Sequence, residues 1–360
     1  MKKKKILHIV EAFGGGVFTY LSDLCNALVS IYDITIAYSI RAQTPENFKQ
    51  YFDSRIQFIY VENFQRSLNP FKDLKAIKEL KKITTKVKPD IIHLHSSKAG
   101  VLGRIAINGK STPLFYTPHG YSFLMMDQKK IKRDVYRMIE RIFARFPCTI
   151  ISCSEGEHKE TLKLTHQAVY VNNGICLDSL EKQLSGLRKK TTTHSFTVFT
   201  LGRVSYQKNP ALFNQIAEQL PNIHFVWIGD GELKEQLSAS NIELTGWLNR
   251  ESALKKAFSS DVFILTSLWE GLPISLLEAM FMKKLCVVSD VIGNHDVIHH
   301  GVNGFVCHTA EEFATCIRKA QEKNGLTALV EKAYSEISRE YNTDCMAKKY
   351  HQIYMGETNE

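Results

Sequence analysis

The chain has 360 residues, 44% hydrophobic and 23% charged, the make-up of an ordinary soluble globular protein with material for two cores. No apolar run reaches the roughly 18 to 20 residues of a membrane span, and the eight cysteines contain no C-x-x-C pair, which argues against a zinc site or a disulfide framework. The net charge of +9 is uneven: residues 1–190 carry 31 Lys and Arg against 17 Asp and Glu, a net of +14, and residues 191–360 carry 15 against 20, a net of −5. The first half therefore either faces something anionic or simply has a basic surface.

The start, Met1 to Lys5, looks like the basic end of a signal peptide, but the apolar run 6–10 is short and leads into glycines without a cleavage-type site. It reads as a buried first strand, and the chain as cytoplasmic. Further strands are expected at 34–39, 56–60, 91–95, 114–117, 149–152 and 168–171, and after them at 197–201, 224–228, 242–244, 262–265 and 285–289. Helical patterns fall between them, among them 17–30, 70–87, 210–219 and 251–258. This alternation predicts an α/β chain with two doubly wound, Rossmann-like domains. Such sheets bind ligands beyond the carboxyl ends of their strands, and clefts between domains are common sites. The polar stretch 181–194 marks the boundary. The expected domains are 1–185 and 186–340, followed by a terminal helical segment, 341–360.

Several segments could carry chemistry. Gly14, Gly15 and Gly16 follow the first strand and precede a helix, so their N–H groups could meet a phosphate; a plain tight turn is the alternative. The run is not G-x-G-x-x-G, and no acid ends the second strand, which argues against a dinucleotide site. His93 and His95 alternate on one strand and share a face, but no third metal ligand is spaced to match them. His119 stands at a strand's carboxyl end beside Gly120, as a ligand contact or a structural histidine. Residues 129–146 are basic and amphipathic, with Ile131, Val135, Met138, Ile139 and Ile142 at helical spacing. That pattern suits an anionic membrane surface or an ordinary domain helix, and no nucleic-acid motif accompanies it.

In the second half, Arg203 and Lys208 flank a short loop after a strand, where two cations can hold one diphosphate. The run Glu270-Gly271-Leu272-Pro273-Ile274-Ser275 leads from a strand into a helix that carries Glu278. A helix start of this kind offers free N–H groups to phosphate, and the two carboxylates can accept hydrogen bonds from sugar hydroxyls. Asp-x-Asp is absent from the chain, so fixed cations are expected in place of a metal ion.

In this order the segments resemble the glycosyltransferase group 1 family, the retaining GT-B enzymes with an E-x7-E signature. The resemblance covers nearly the whole chain and rests on Glu270 to Met280, Gly202-Arg203 with Lys208-Asn209-Pro210, Gly229-Asp230-Gly231, Gly246-Trp247, Ser152 to Glu155 and Asn173-Gly174. His93 to Gly100 and Thr117 to Phe123 look like the subset that builds capsule, exopolysaccharide or lipopolysaccharide. The resemblance implies two domains facing across a cleft and transfer of a hexose from a nucleotide-diphosphate sugar to a glycan or lipid-linked acceptor. The donor would be a UDP-sugar, with a GDP-sugar as the alternative, and no metal. Arg203 and Lys208 would hold the diphosphate, Glu278 the ribose, Glu270 the sugar hydroxyls, and His119 the sugar near the reaction centre. Gly15 and Gly16 would close over the phosphates, backbone at Gly246, Trp247 and Leu248 would hold the base, and Leu272 to Ser275 would offer N–H groups. The terminal helix would cross back to the first domain. The family's glycine-rich turn ending in glutamate is here the run 292–297, with one glycine and Asp296. A sugar-nucleotide epimerase and a non-catalytic sugar-nucleotide-binding subunit are the rival readings. Peripheral contact with the inner face of the membrane is expected, and no nucleic-acid partner.

Overall fold

The computed structural model describes residues 2–357 apart from 42, 66, 68, 127, 186–194 and 323–325. The chain divides into two compact units: Met1–Leu124, Gln128–Gly174 and Thr343–Glu360 make one, and Met125–Asp127 with Ile175–Asn342 the other. The first runs β1 (Lys4–Phe13), α1 (Gly15–Leu28), β2 (Tyr32–Ile40), β3 (Gln57–Tyr60), α2 (Pro70–Val87), β4 (Ile91–His95), α3 (Ser97–Ala106), β5 (Leu114–Thr117), α4 (Lys130–Phe143), β6 (Thr149–Ser152), α5 (Glu155–Leu162) and β7 (Ala168–Tyr170). The second runs α6 (Leu177–Ser185), β8 (Thr197–Leu201), α7 (Pro210–Glu218), β9 (His224–Ile228), β10 (Ile242–Leu244), α8 (Arg250–Phe258), β11 (Val262–Leu265), α9 (Ile274–Phe281), β12 (Leu285–Ser289), β13 (Phe305–Cys307), α10 (Ala310–Gln321) and α11 (Thr327–Glu340). The last helix, α12 (Thr343–Met355), belongs to the first unit.

The division between the units falls at Gly174, ahead of the polar stretch 181–194, because α6 packs against α8 with Leu180 and Leu184 buried. Residues 186–194 of that stretch lie outside the described residues.

Among the described residues the first unit builds a seven-stranded sheet, ordered β3-β2-β1-β4-β5-β6-β7, and the second a six-stranded sheet, ordered β10-β9-β8-β11-β12-β13. The pairings are parallel throughout. Both orders are doubly wound, with a switch point beside the first strand of the unit. The central strands are buried along their length, as at β4 and β11, because helices cover both faces. Helix starts follow sequence signals: Asn69 and Asn209 accept from Lys72 and Leu212 N–H, each ahead of a proline in the first turn. Strand β13, at three residues, is too short to show a period.

One face of the first sheet packs under α1 and α12, whose Tyr20 and Tyr350 are buried, and the Tyr20 hydroxyl donates to that of Tyr350 at 2.6 Å. The same sheet holds three buried histidines. His8 on β1 pairs in register with His93 on β4, and His95 follows two residues on; all three are 0% exposed. Burial pulls the His8 imidazolium down to about 3, and burial with neighbouring histidines pulls His93 and His95 well below the usual value.

Helix α4 docks through a mixed face, on which Tyr136, Ile139 and Phe143 are half-buried beside one buried acid. Glu140 is buried on it, accepting from Arg104 at 3.1 Å and the Tyr116 hydroxyl at 2.9 Å. Arg133 donates to the Phe123 carbonyl at 3.1 Å, and Arg137 lies 4.9 Å over the Phe123 ring. Of the apolar row expected to be one face of the helix, Ile139 is half-buried and the other four point to solvent: Ile131 is 79% exposed, Met138 55%, Ile142 46% and Val135 42%.

Two outcomes follow from these buried polar groups. Arg104→Met leaves Glu140 buried without its cation, and should lower stability by about 3–5 kcal/mol in urea denaturation; a loss below about 1 kcal/mol would contradict the pairing. The histidines set a pH dependence. Unfolded histidine takes its proton near 6.5, so below that pH the unfolded chain binds more protons than the folded one. Stability is then fully present above about pH 6.5 and falls with pH toward 3, by about 1 kcal/mol per buried histidine per pH unit. Urea midpoints measured from pH 7 to 5 should fall, with a shallower slope in His8→Phe; a level midpoint in the wild type would refute this.

Candidate functional site

The residues singled out in the sequence gather at strand ends, in two groups, one in each unit. In the second unit, β8 and β11 lie side by side at the switch point. The loop after β8 carries Arg203 and Lys208, and the loop after β11 carries Glu270 and leads into α9 with Glu278. The two loops are laced together. Leu268 N–H donates to the Gln207 carbonyl at 2.8 Å, the Gln207 amide to the Trp269 carbonyl at 3.0 Å, and the Thr266 hydroxyl to the Lys208 carbonyl at 2.7 Å. Beneath them, the indole N–H of buried Trp227 donates to the Gly202 carbonyl at 2.9 Å.

The Lys208 ammonium reaches Glu270 Oε1 at 2.7 Å, and the Ser267 hydroxyl reaches the same oxygen at 2.6 Å. The Gln207 amide donates to Oε2 at 3.3 Å. Glu270, with its side chain 7% exposed, is thus a buried carboxylate held by a cation and two neutral donors. Glu278 is 3% exposed on α9 and accepts from Arg250 at 2.6 Å. Arg203 pairs at 2.9 Å with Glu232, which is half-exposed, in the loop after β9. An exposed pair of this kind contributes about 0–1 kcal/mol, so an incoming anion can take Arg203 from it.

Helix α9 starts without a side-chain cap, with Pro273 at its N-cap position, so its first N–H groups are open to an acceptor. Negative charge is favoured there by the helix dipole. A phosphate would meet these N–H groups and the two cations together. Gly271, Leu272, Ile274 and Ser275 form this turn, and all but half-buried Ser275 are buried. Gly293, in the turn after β12, takes φ +84, and a side chain there would strike the Gly271 carbonyl at 2.4 Å. Asp296 Oδ2 accepts from Gly293 N–H at 3.0 Å, so the acid in this turn binds its own loop. After β10, Gly246 takes φ +72, and Trp247 and Leu248 are exposed at 59% and 39%.

In the first unit, Gly15 and Gly16 open α1 and are exposed, with Gly15 at φ +55. His119 also sits at positive φ, +56, after β5. Its Nε2 lies 3.1 Å from His95 Nδ1, and its ring makes a T-shaped contact with that of Tyr20 at 4.6 Å between centroids. Gly120 N–H donates to Glu157 at 2.7 Å. His8, from a strand more than eighty residues earlier, joins the pair read from the sequence, so His8, His93 and His95 bring nitrogens within 4.8 Å of one another. Hydrogen bonds already take up both nitrogens of His93, to Tyr354 and Thr117, both of His95, to His8 and His119, and Nδ1 of His8. His8 Nε2 alone of the six has no partner, so binding a metal ion here would break this network.

The sequence reading misses Gln207, Ser267, Glu232, Arg250 and His8 as site residues. Gln207 and Ser267 lie in or beside the quoted loops, but nothing in their spacing shows that they reach Glu270. Arg250 follows the capping Asn249 and reads as a helix-start residue.

Residues 14–179 match the model for Glycosyltransferase Family 4, and residues 195–323 match that for glycosyl transferases group 1. The chain is 30% identical over 340 residues to the UDP-Gal:alpha-D-GlcNAc-diphosphoundecaprenol alpha-1,3-galactosyltransferase of Escherichia coli, covering 85% of each chain. Its fold is shared with a sucrose-phosphate synthase from Thermosynechococcus elongatus at a TM-score of 0.82 and 16% identity, over 98% of this chain and 99% of that one. It is shared as well with HepE of Anabaena, solved in complex with UDP and glucose, at 0.78 and 19%, over 98% and 99%. With two doubly wound units and a relative at this identity over most of both chains, the protein belongs to the group 1 glycosyltransferases and is a glycosyltransferase of the GT-B fold.

Proposed function

We propose that this enzyme transfers a hexose, with retention of anomeric configuration, from a UDP-sugar to a lipid-linked glycan in cell-surface polysaccharide synthesis. The observation that carries this reading is the arrangement at the start of α9, where Lys208 with Glu270 and Arg250 with Glu278 flank an uncapped helix end. A nucleotide diphosphate suits it: phosphate for Arg203, Lys208 and the helix N–H groups of Ile274 and Ser275, and ribose hydroxyls for Glu278. Sugar hydroxyls suit Glu270, and the base lies along the backbone of Gly246, Trp247 and Leu248. His119, Gly15 and Gly16 of the first unit serve the sugar and the phosphates. The two cations supply the charge that a metal ion would otherwise bring, so no metal is required. A GDP-sugar is the alternative donor. The lipid-linked acceptor and UDP rest on the Escherichia coli relative, whose name gives both.

In the proposed reaction the bond from the anomeric carbon to the phosphate oxygen breaks, and the acceptor oxygen bonds to that carbon on the same face. The acceptor's proton passes to the departing phosphate, whose charge Arg203 and Lys208 stabilise. Glu270 and Glu278 hold hydroxyls and act as neither acid nor base. Incubation with UDP-hexoses and a polyprenyl-diphosphate-linked GlcNAc should give a product of unchanged anomeric configuration by NMR. Arg203→Ala should lower kcat/KM by about 10²-fold or more, in line with loss of one charge-stabilising group. An inverted product, or an Arg203→Ala variant at wild-type rate, would sink the mechanism.

The exposed face of α4 supports attachment to the inner face of the membrane as part of this reading. No helix among the described residues is long and apolar enough to cross a membrane, but α4 presents an exposed apolar row among exposed Lys130, Lys132, Arg137 and Arg141. Apolar side chains enter the headgroup boundary while basic ones meet anionic lipid. The protein should sediment with vesicles containing phosphatidylglycerol at low salt and be released at high salt, and Met138→Glu should cut the bound fraction severalfold. No sedimentation at low salt would count against it.

A further inference from the structure

Three imidazoles stand in a row at the switch point of the first sheet. His8 Nδ1 lies 2.9 Å from His95 Nε2, and His95 Nδ1 lies 3.1 Å from His119 Nε2. The planes stay nearly parallel, at 28° and 23°, with centroids 5.2 and 5.4 Å apart. His8 and His95 are fully buried. A neutral imidazole has one N–H and one lone pair, so a row linked this way must be polarised in a single direction.

The inner end of the row decides the direction. His8 Nε2 is buried and has no partner. In one polarity that atom carries an N–H with no acceptor, a buried donor left unsatisfied. In the other it is a bare lone pair, the less costly orphan of the two. The second polarity has His8 Nδ1–H donating to His95, and His95 Nδ1–H donating to His119 Nε2. The lone pair of His119 is then occupied and its proton lies on Nδ1. Burial also keeps the rings uncharged, with His119 drawn down to about 3.

We propose that His8 and His95 are positioning residues that hold His119 as a neutral Nδ1–H tautomer, so that it offers a ligand one hydrogen-bond donor and no base. The tautomer follows from the row alone; that its target is a sugar oxygen of the donor rests on the function proposed above. The His119 backbone, at φ +56, and the T-shaped contact with Tyr20 hold the ring in place. His93 stands outside the row, since its nitrogens meet Tyr354 and Thr117. The titratable groups around His119 are His95 on β4, Tyr20 on α1 with Tyr350 of α12 behind it, and Glu157 on α5 beneath Gly120. The Glu157 carboxylate already accepts from Gly120 and Cys153 N–H.

Long-range proton–nitrogen NMR on the full chain labelled with 15N-histidine reads the tautomer directly, with the His119 signals assigned by their loss in His119→Asn. The expected spectrum has a protonated Nδ1 and a bare Nε2, unchanged from pH 6 to 8. A proton on Nε2, or a titration in that range, would overturn the tautomer whatever sugar the enzyme transfers. The positioning role is read from variants of His95. His95→Leu should lose at least tenfold in kcat/KM and gain an ionisation between pH 6 and 7 in its rate profile. His95→Asn, whose amide can stand in for the Nδ1–H donor, should recover most of the rate and the level profile. Equal losses in both variants, each with an unaltered profile and a wild-type melting temperature, would show that His95 only fills space.

Discussion

Parallel pairing is the constraint on which the rest of this molecule depends. Strands that all run one way end on a single rim, so each sheet collects its strand-end loops on one side. In the first unit the rim brings the glycines after β1 together with His95 at the end of β4 and His119 after β5, from three distant parts of the chain. In the second unit the same rule sets the loop after β8 against the loop after β11, and so Lys208 against Glu270. The doubly wound order leaves these neighbours at the point where the chain changes direction, where the loops diverge and leave room for a ligand.

The charges on the second rim are matched before any ligand arrives. Arg203 has Glu232, Lys208 has Glu270, and Arg250 has Glu278. A buried charge without a partner is expensive, and the pairs of Glu270 and Glu278 avoid that state. The pairs differ in what they leave available. Arg203 and Glu232 are partly in solvent, so their attraction is screened and exchange for a phosphate is easy. Lys208 and Glu270 are enclosed, and Ser267 and Gln207 also hold the carboxylate. That shell fixes the orientation of Glu270, which suits a group meant to read hydroxyl positions more than one meant to move a proton.

Helix α4 shows how a polar anchor can decide what a helix exposes. Amphipathic spacing alone would bury Ile131, Val135, Met138, Ile139 and Ile142 together. The buried Arg104, Glu140 and Tyr116 network instead holds inward the side that carries Glu140 with Tyr136, Ile139 and Phe143. A buried ion pair is weak evidence for stability but can enforce one orientation, and here it turns most of the apolar row outward among basic side chains. The positive first half of the sequence thereby acquires a local meaning, as a surface suited to anionic lipid.

The order of strands and helices was legible because buried parallel strands are continuous apolar runs, and because asparagine, proline and glycine mark the helix starts. The candidate residues were legible as well: Arg203, Lys208, Glu270, Glu278 and His119 stand out as polar groups just beyond such runs. The sequence by itself therefore determined the fold class, the family and the rims on which chemistry could sit. Contacts between distant segments were decided only in three dimensions. Nothing in the spacing places His8 beside His95, Gln207 and Ser267 on Glu270, or Arg250 on Glu278, since each pairing depends on which strands become neighbours. The facing of α4 was likewise undecided, because periodicity shows that a helix has two faces and tertiary packing chooses which one is buried.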